Sequence, residues 1–132
     1  MKMQISKIFS VQTEQYSGPF VEFQLSGVLS EWLFATNFWR EFNAGHGTMF
    51  DQFEGDEVDA TIVRSVSAAL EKRIAALDLS DTQSVEFIYR RLQGGQFLTA
   101  SASKSNLLSE LTALHTFLKT AAQQSLTMEF DL

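Results

Sequence analysis

The chain contains no cysteine, so disulfides, thiolate metal sites and cysteine nucleophiles are excluded, which suits a reducing compartment. Proline occurs once, at Pro19, inside the turn-like stretch "TEQYSGP". No run approaches the roughly 20 apolar residues that span a bilayer. The opening "MKMQISKIFSVQ" carries Lys2 and Lys7 but lacks the continuous apolar run of a signal peptide. A soluble, cytoplasmic protein with no membrane role is expected. Catalytic signatures are also missing. There is no Gly-x-Ser-x-Gly and no His-Glu-x-x-His, and the "GHG" of Gly45 to Gly47 lacks the Gly-Lys-Ser/Thr ending of a phosphate loop. The acids do not follow the spacing of a calcium loop. No metal and no cofactor is expected.

Basic charge is absent from one long segment. Between Glu41 and Asp59 stand six acids, Glu41, Asp51, Glu54, Asp56, Glu57 and Asp59, with no lysine or arginine. Setting these six aside from the 16 acids leaves 10, matched by 10 bases, so the net charge of −6 belongs to this segment. A domain so charged is a poor nucleic-acid binder, because phosphate requires cations.

Core material is plentiful. An apolar share of 45% with twelve phenylalanines, over 132 residues, fits one globular domain, 1–132, burying roughly two-thirds of the surface its unfolded chain exposes. Met1, Met3, Ile5, Phe9 and Val11 alternate with polar residues and predict a strand, as do Val21, Phe23 and Leu25. Val28, Trp32 and Phe34 can share a face of a third strand ending near Ala35. The same "SEWLFATNFWREF" also reads as a helix capped by Ser30, with Trp32, Ala35, Trp39 and Phe42 on one side. The strand is preferred, followed by a short helix after Asn37, a good N-cap residue.

Asp59 is expected to cap a helix through Leu77, with Ile62, Val66, Leu70, Ile74 and Leu77 on one stripe and Val58 and Val63 as a staple. Lys72 and Arg73 sit toward its C-terminal end, where the helix dipole favours cations. "SVEFIYRRLQGGQFLTASAS" predicts a hairpin around Gly94 and Gly95. Leu107, Leu111, Leu114, Leu118 and Ala121 stripe a second helix, with Ser105 as cap. "LTMEFDL" alternates as a closing strand. The expected architecture is α+β, an antiparallel β-sheet with two main amphipathic helices packed on one face.

The candidate site is "FNAGHGTMFDQFEGDEVDA". Asp56, Glu57 and Asp59 suit a helix N-terminus. Asp51 and Glu54 have no such use, and they alternate with Phe50 and Phe53. Carboxylates beside aromatic anchors suit docking on a cationic protein. The expected partner-binding residues are therefore Phe50, Asp51, Phe53, Glu54, Asp56 and Glu57, unless Phe50 and Phe53 turn inward under a solvated loop. His46, Asp51, Glu54 and His115 form a competing metal or acid–base set. Arg90 and Arg91, beside Tyr89 and Phe97, form an exposed hairpin expected to touch the acidic segment.

In size, acidity and lack of catalytic residues, the chain resembles the broad class of bacterial immunity proteins, which neutralise a partner toxin. That resemblance implies a non-enzymatic module presenting acids and aromatics to a basic cleft. Two other readings remain open at this point: a small enzyme built on His46 and nearby carboxylates, and a homo-oligomer joined through the C-terminal strand as an unpaired edge.

Overall fold

The computed structural model describes residues 3–12, 14 and 18–132. The first two residues of the expected opening strand, and most of "TEQYS", lie outside them. The order of elements is β1 (Ser6–Ser10), β2 (Glu22–Leu25), α1 (Gly27–Ala35), α2 (Phe38–His46), β3 (Gly55–Val58), α3 (Ala60–Leu79), β4 (Ser84–Arg91), β5 (Phe97–Ser103), α4 (Lys104–Gln123) and β6 (Met128–Asp131). The fold is α+β. An antiparallel four-stranded sheet runs β2-β1-β6-β3, and β4 and β5 form a separate hairpin sheet. Among the described residues no helix is long and apolar enough to cross a membrane.

Register assigns the two faces of the larger sheet, since residues directly opposite in antiparallel strands project to the same side. Ile8 faces Phe23 on β2 and Phe130 on β6, and Phe130 faces Asp56 on β3; Met128 faces Ser10 and Val58. Ile8, Ser10, Met128 and Phe130 are all buried, so this face meets the core. There α3 and α4 pack along each other, and Phe117 of α4 meets Phe23 with ring centroids 5.5 Å apart. The opposite face carries Glu22 and Gln24, Lys7 and Phe9, Glu129 and Asp131, and Gly55 and Glu57.

The two long helices follow their stripes. Val63, Val66, Leu70 and Leu77 are buried in α3, and Leu107, Leu111, Leu114, Leu118 and Ala121 in α4. Asp59 caps α3 by accepting from Ile62 N at 3.1 Å. Ser103, not Ser105, caps α4, accepting from Asn106 N at 3.1 Å. Lys72 and Arg73 lie before the last turn of α3. Arg73 instead reaches Glu41 of α2 at 2.8 Å and lies 5.5 Å over the Phe38 ring.

The third strand expected at 28–35 is a helix, α1. Its cap is Ser26, whose Oγ accepts from Leu29 N at 3.1 Å. Glu110 of α4 fixes that cap, accepting from Ser26 N at 2.7 Å and Ser26 Oγ at 2.6 Å. Residues 29–33 are buried in succession, which erases the one-sided periodicity that marks a helix in sequence. A helix does start after Asn37. Asn37, however, makes no side-chain cap bond; it occupies the left-handed region at φ 63° and turns the chain from α1 into α2. The C-terminal strand β6 is paired on both sides, by β1 and β3, so it offers no free edge. The edges of the larger sheet are β2 and β3.

Candidate protein-docking surface on the acidic segment

The acidic segment leaves α2 through Gly47, at φ 67°, and is clamped at once by Asn43. The Asn43 Oδ1 accepts from Thr48 Oγ1 at 2.7 Å and Phe50 N at 3.0 Å, while its Nδ2 donates to Phe50 O at 2.8 Å. This turns Phe50 inward, where its ring meets Trp39 at 5.1 Å and Phe130 at 5.0 Å. Phe50 is 3% exposed. It belongs to the core and cannot touch a partner.

Phe53 points the other way. It is 67% exposed, and its backbone holds φ 66°, a left-handed conformation that is an outlier for a bulky residue. The Arg90 guanidinium lies 5.6 Å from its ring centroid, so the hairpin does touch the acidic segment. Arg90 is otherwise committed to Glu31 on α1, which is 2% exposed. That carboxylate also accepts from Gln4 N at 2.8 Å and Gln52 Nε2 at 2.9 Å. One buried acid thus joins the segment before β1, α1, the acidic loop and the hairpin. The link between Glu31 and Arg90 was invisible in sequence because 59 residues separate them.

Asp51, Glu54 and Glu57 are exposed, while Asp56 is half-buried on the core side of β3. Among the described residues the buried Asp56 Oδ2 has no hydrogen-bond partner, and the carboxyl pKa is raised above 3.8, by burial first and then by the Asp51 charge. Asp56 and Glu57 therefore belong to a strand rather than to the first turn of α3, and only Asp59 serves the helix directly.

On the open face, Glu57 is paired in register with Glu129, and Gly55 with Asp131. A side chain at 55 would bring its Cβ within 2.5 Å of Asp131 Oδ1, so glycine is what lets these carboxylates lie across β3. Glu129 is raised above 4.5, first by its hydrogen bond with Asp131, then by burial and the charges of Asp131 and Glu57, with Lys7 opposing. Sequence alternation placed Glu129 and Asp131 on the polar side of β6, but nothing in sequence paired that side with the acidic segment. A groove of about 620 Å³ runs from this loop across the sheet, lined by Phe53, Glu54, Asp131, Lys7, Glu22 and Ile5 among others.

The competing set does not assemble. His46 stacks on Phe42 at 4.0 Å and its Nδ1 lies 3.0 Å from Phe42 O, at the end of α2. His115, on α4, has Nε2 3.7 Å from Glu71 Oε2. Among the described residues no group of three or more histidines and carboxylates is arranged to hold a metal ion. The arrangement can instead offer negative charge and an exposed aromatic ring to another molecule. No protein-family model, no curated protein and no solved structure matches this chain.

Proposed function

We propose that this protein is a non-enzymatic binding module that docks a basic protein partner on Asp51, Phe53, Glu54 and Glu57. The observation that carries the reading is Phe53. Folding gains little from a large apolar side chain that is mostly in water and held in a left-handed backbone, a conformation that costs about 1–2 kcal/mol. Strained, exposed residues of this kind concentrate at binding sites. Its neighbours Asp51 and Glu54 are exposed acids in a segment without bases. Charge would steer the encounter, and the aromatic ring would hold the complex once formed. Neutralising a basic toxin, as immunity proteins do, is one role such a module would fill.

The test uses the whole chain as bait beside a Phe53→Ala/Glu54→Lys variant. A basic protein retained by the wild type, released as salt rises and lost by the variant supports the reading. A partner held equally by both baits, or indifferent to salt, overturns it.

A further inference from the structure

We infer that the partner docks through an extended segment lying across the open face of the four-stranded sheet, with an arginine or lysine held between apolar residues that reach Ile5 and Phe53. This rests on the protein-binding reading above and adds the partner's chemistry and the rest of its footprint, most of it outside the acidic segment.

Charge complementarity selects the occupant. Among the described residues, the open face and its groove present Glu22, Glu54, Glu57, Glu129 and Asp131 against one base, Lys7. Lys7 does not neutralise them by a close ion pair; its Nζ lies 5.4 Å from the Phe9 ring centroid. A second copy presenting the same face would be repelled, and so would a nucleic-acid backbone. A cationic side chain would instead relieve the crowding of Glu57 with Glu129 directly opposite it and Asp131 two residues along the same strand.

The apolar ends fix the length. Ile5, 57% exposed, and Phe53 both line the groove. Ile5 precedes β1 and Phe53 precedes β3, so two inter-strand gaps of about 4.8 Å, or about 10 Å, separate their strands, and roughly five extended residues at about 3.4 Å each reach across both. Side chains of an extended chain alternate in direction. The contacting positions are thus first, third and fifth: apolar, basic, apolar.

The probes are ten-residue peptides of Leu-Ser-Arg-Ser repeats, in which leucine and arginine alternate along one face, beside controls with serine for leucine or glutamate for arginine, titrated into the isotope-labelled whole chain and followed by amide NMR shifts. The arginine–leucine peptide is expected to shift Lys7, Gln24, Gly55 and Asp131 together with Phe53, and to bind more tightly than either control. Asp131→Asn with Glu22→Gln should weaken it about tenfold, and Lys7→Gln should strengthen it; a structural defect would not produce opposite signs. Shifts confined to residues 51–54, with the sheet variants unchanged, overturn the footprint while leaving the protein-binding reading in place. Equal binding of the leucine and serine peptides overturns the apolar positions, and binding of none overturns the inference. Concentration-dependent shifts on this face without peptide assign it to a second copy instead.

Discussion

The Arg90 guanidinium grips the buried Glu31 carboxylate with two hydrogen bonds, Nη1 to Oε2 at 2.7 Å and Nη2 to Oε1 at 2.9 Å. Removing one partner leaves a charge in the interior, which costs about 3 kcal/mol or more, whereas an apolar replacement of both can be nearly neutral. Arg90→Met should therefore lower stability by about 3 kcal/mol, and Glu31→Met/Arg90→Met should recover much of that loss. Urea unfolding of the two singles and the double measures it. Additive losses would mean that the pair is not coupled.

Phe50 and Phe53 are three residues apart and should behave as opposites. Phe50→Ala removes a core ring and should cost about 3–5 kcal/mol. Phe53→Ala should cost less than about 1 kcal/mol. Phe53→Gly should be more stable than Phe53→Ala by about 1 kcal/mol, since glycine alone accepts φ 66° without strain. Denaturation midpoints that rank alanine above glycine at 53 would contradict the left-handed turn.

Two helix starts separate capping from turning. Asp59→Ala should cost about 1 kcal/mol through loss of the acceptor for Ile62 N. At Asn37 the backbone matters and the cap does not. Asn37→Gly should hold or raise stability, while Asn37→Ser, a good cap but a poor left-handed residue, should cost about 1 kcal/mol. A serine variant as stable as wild type would restore capping as the reason for asparagine there.

The crowded carboxylates give the fold a pH dependence of definite sign. Glu129 is raised above 4.5 by its hydrogen bond with Asp131, by burial, and by Asp131 and Glu57, against Lys7. The folded state therefore holds this proton more tightly than the unfolded chain. The stability it contributes is complete below 4.5 and is lost as pH rises through the raised value. Asp56 acts in the same direction. Glu129→Gln cannot titrate, so its stability should gain on wild type as pH climbs through that window. Parallel stability–pH curves would show that Glu129 titrates normally.

Much of the fold was legible where a face is buried and the other is wet. The stripes of α3 and α4 and the alternation of β6 could be read because each has one buried side, and Asp59 was recognisable as a cap by chemistry and position. Legibility failed in β1, where Ser6, Ile8 and Ser10 turn inward and Ile5, expected on the apolar face, is exposed, and where that contrast vanishes. In α1, residues 29–33 are all buried, so Val28, Trp32 and Phe34 fitted a strand as well as a helix. In β3, the core-facing positions are Asp56 and Val58 and the outer ones Gly55 and Glu57, an edge strand without apolar alternation. The acidic segment was visible as charge, but the carboxylates joined to it came from β6, and that pairing is set by topology. The inward turn of Phe50 depends on the Asn43 clamp, which no spacing rule encodes.

If the acidic loop steers a basic partner and Phe53 holds it, charge and ring should act on different rate constants. The most direct measurement is association and dissociation kinetics with the partner recovered on the wild-type bait, over a salt series, for wild type, Asp51→Asn/Glu54→Gln and Phe53→Ala. Screening shortens from about 10 Å at 0.1 M salt to about 3 Å at 1 M. The on-rate should fall across that range for wild type and start lower, with a shallower slope, for the charge variant. Phe53→Ala should leave the on-rate in place and raise the off-rate by about tenfold or more. Tight binding that ignores salt and all three substitutions would place the interface elsewhere and leave the acidic segment a solvated loop.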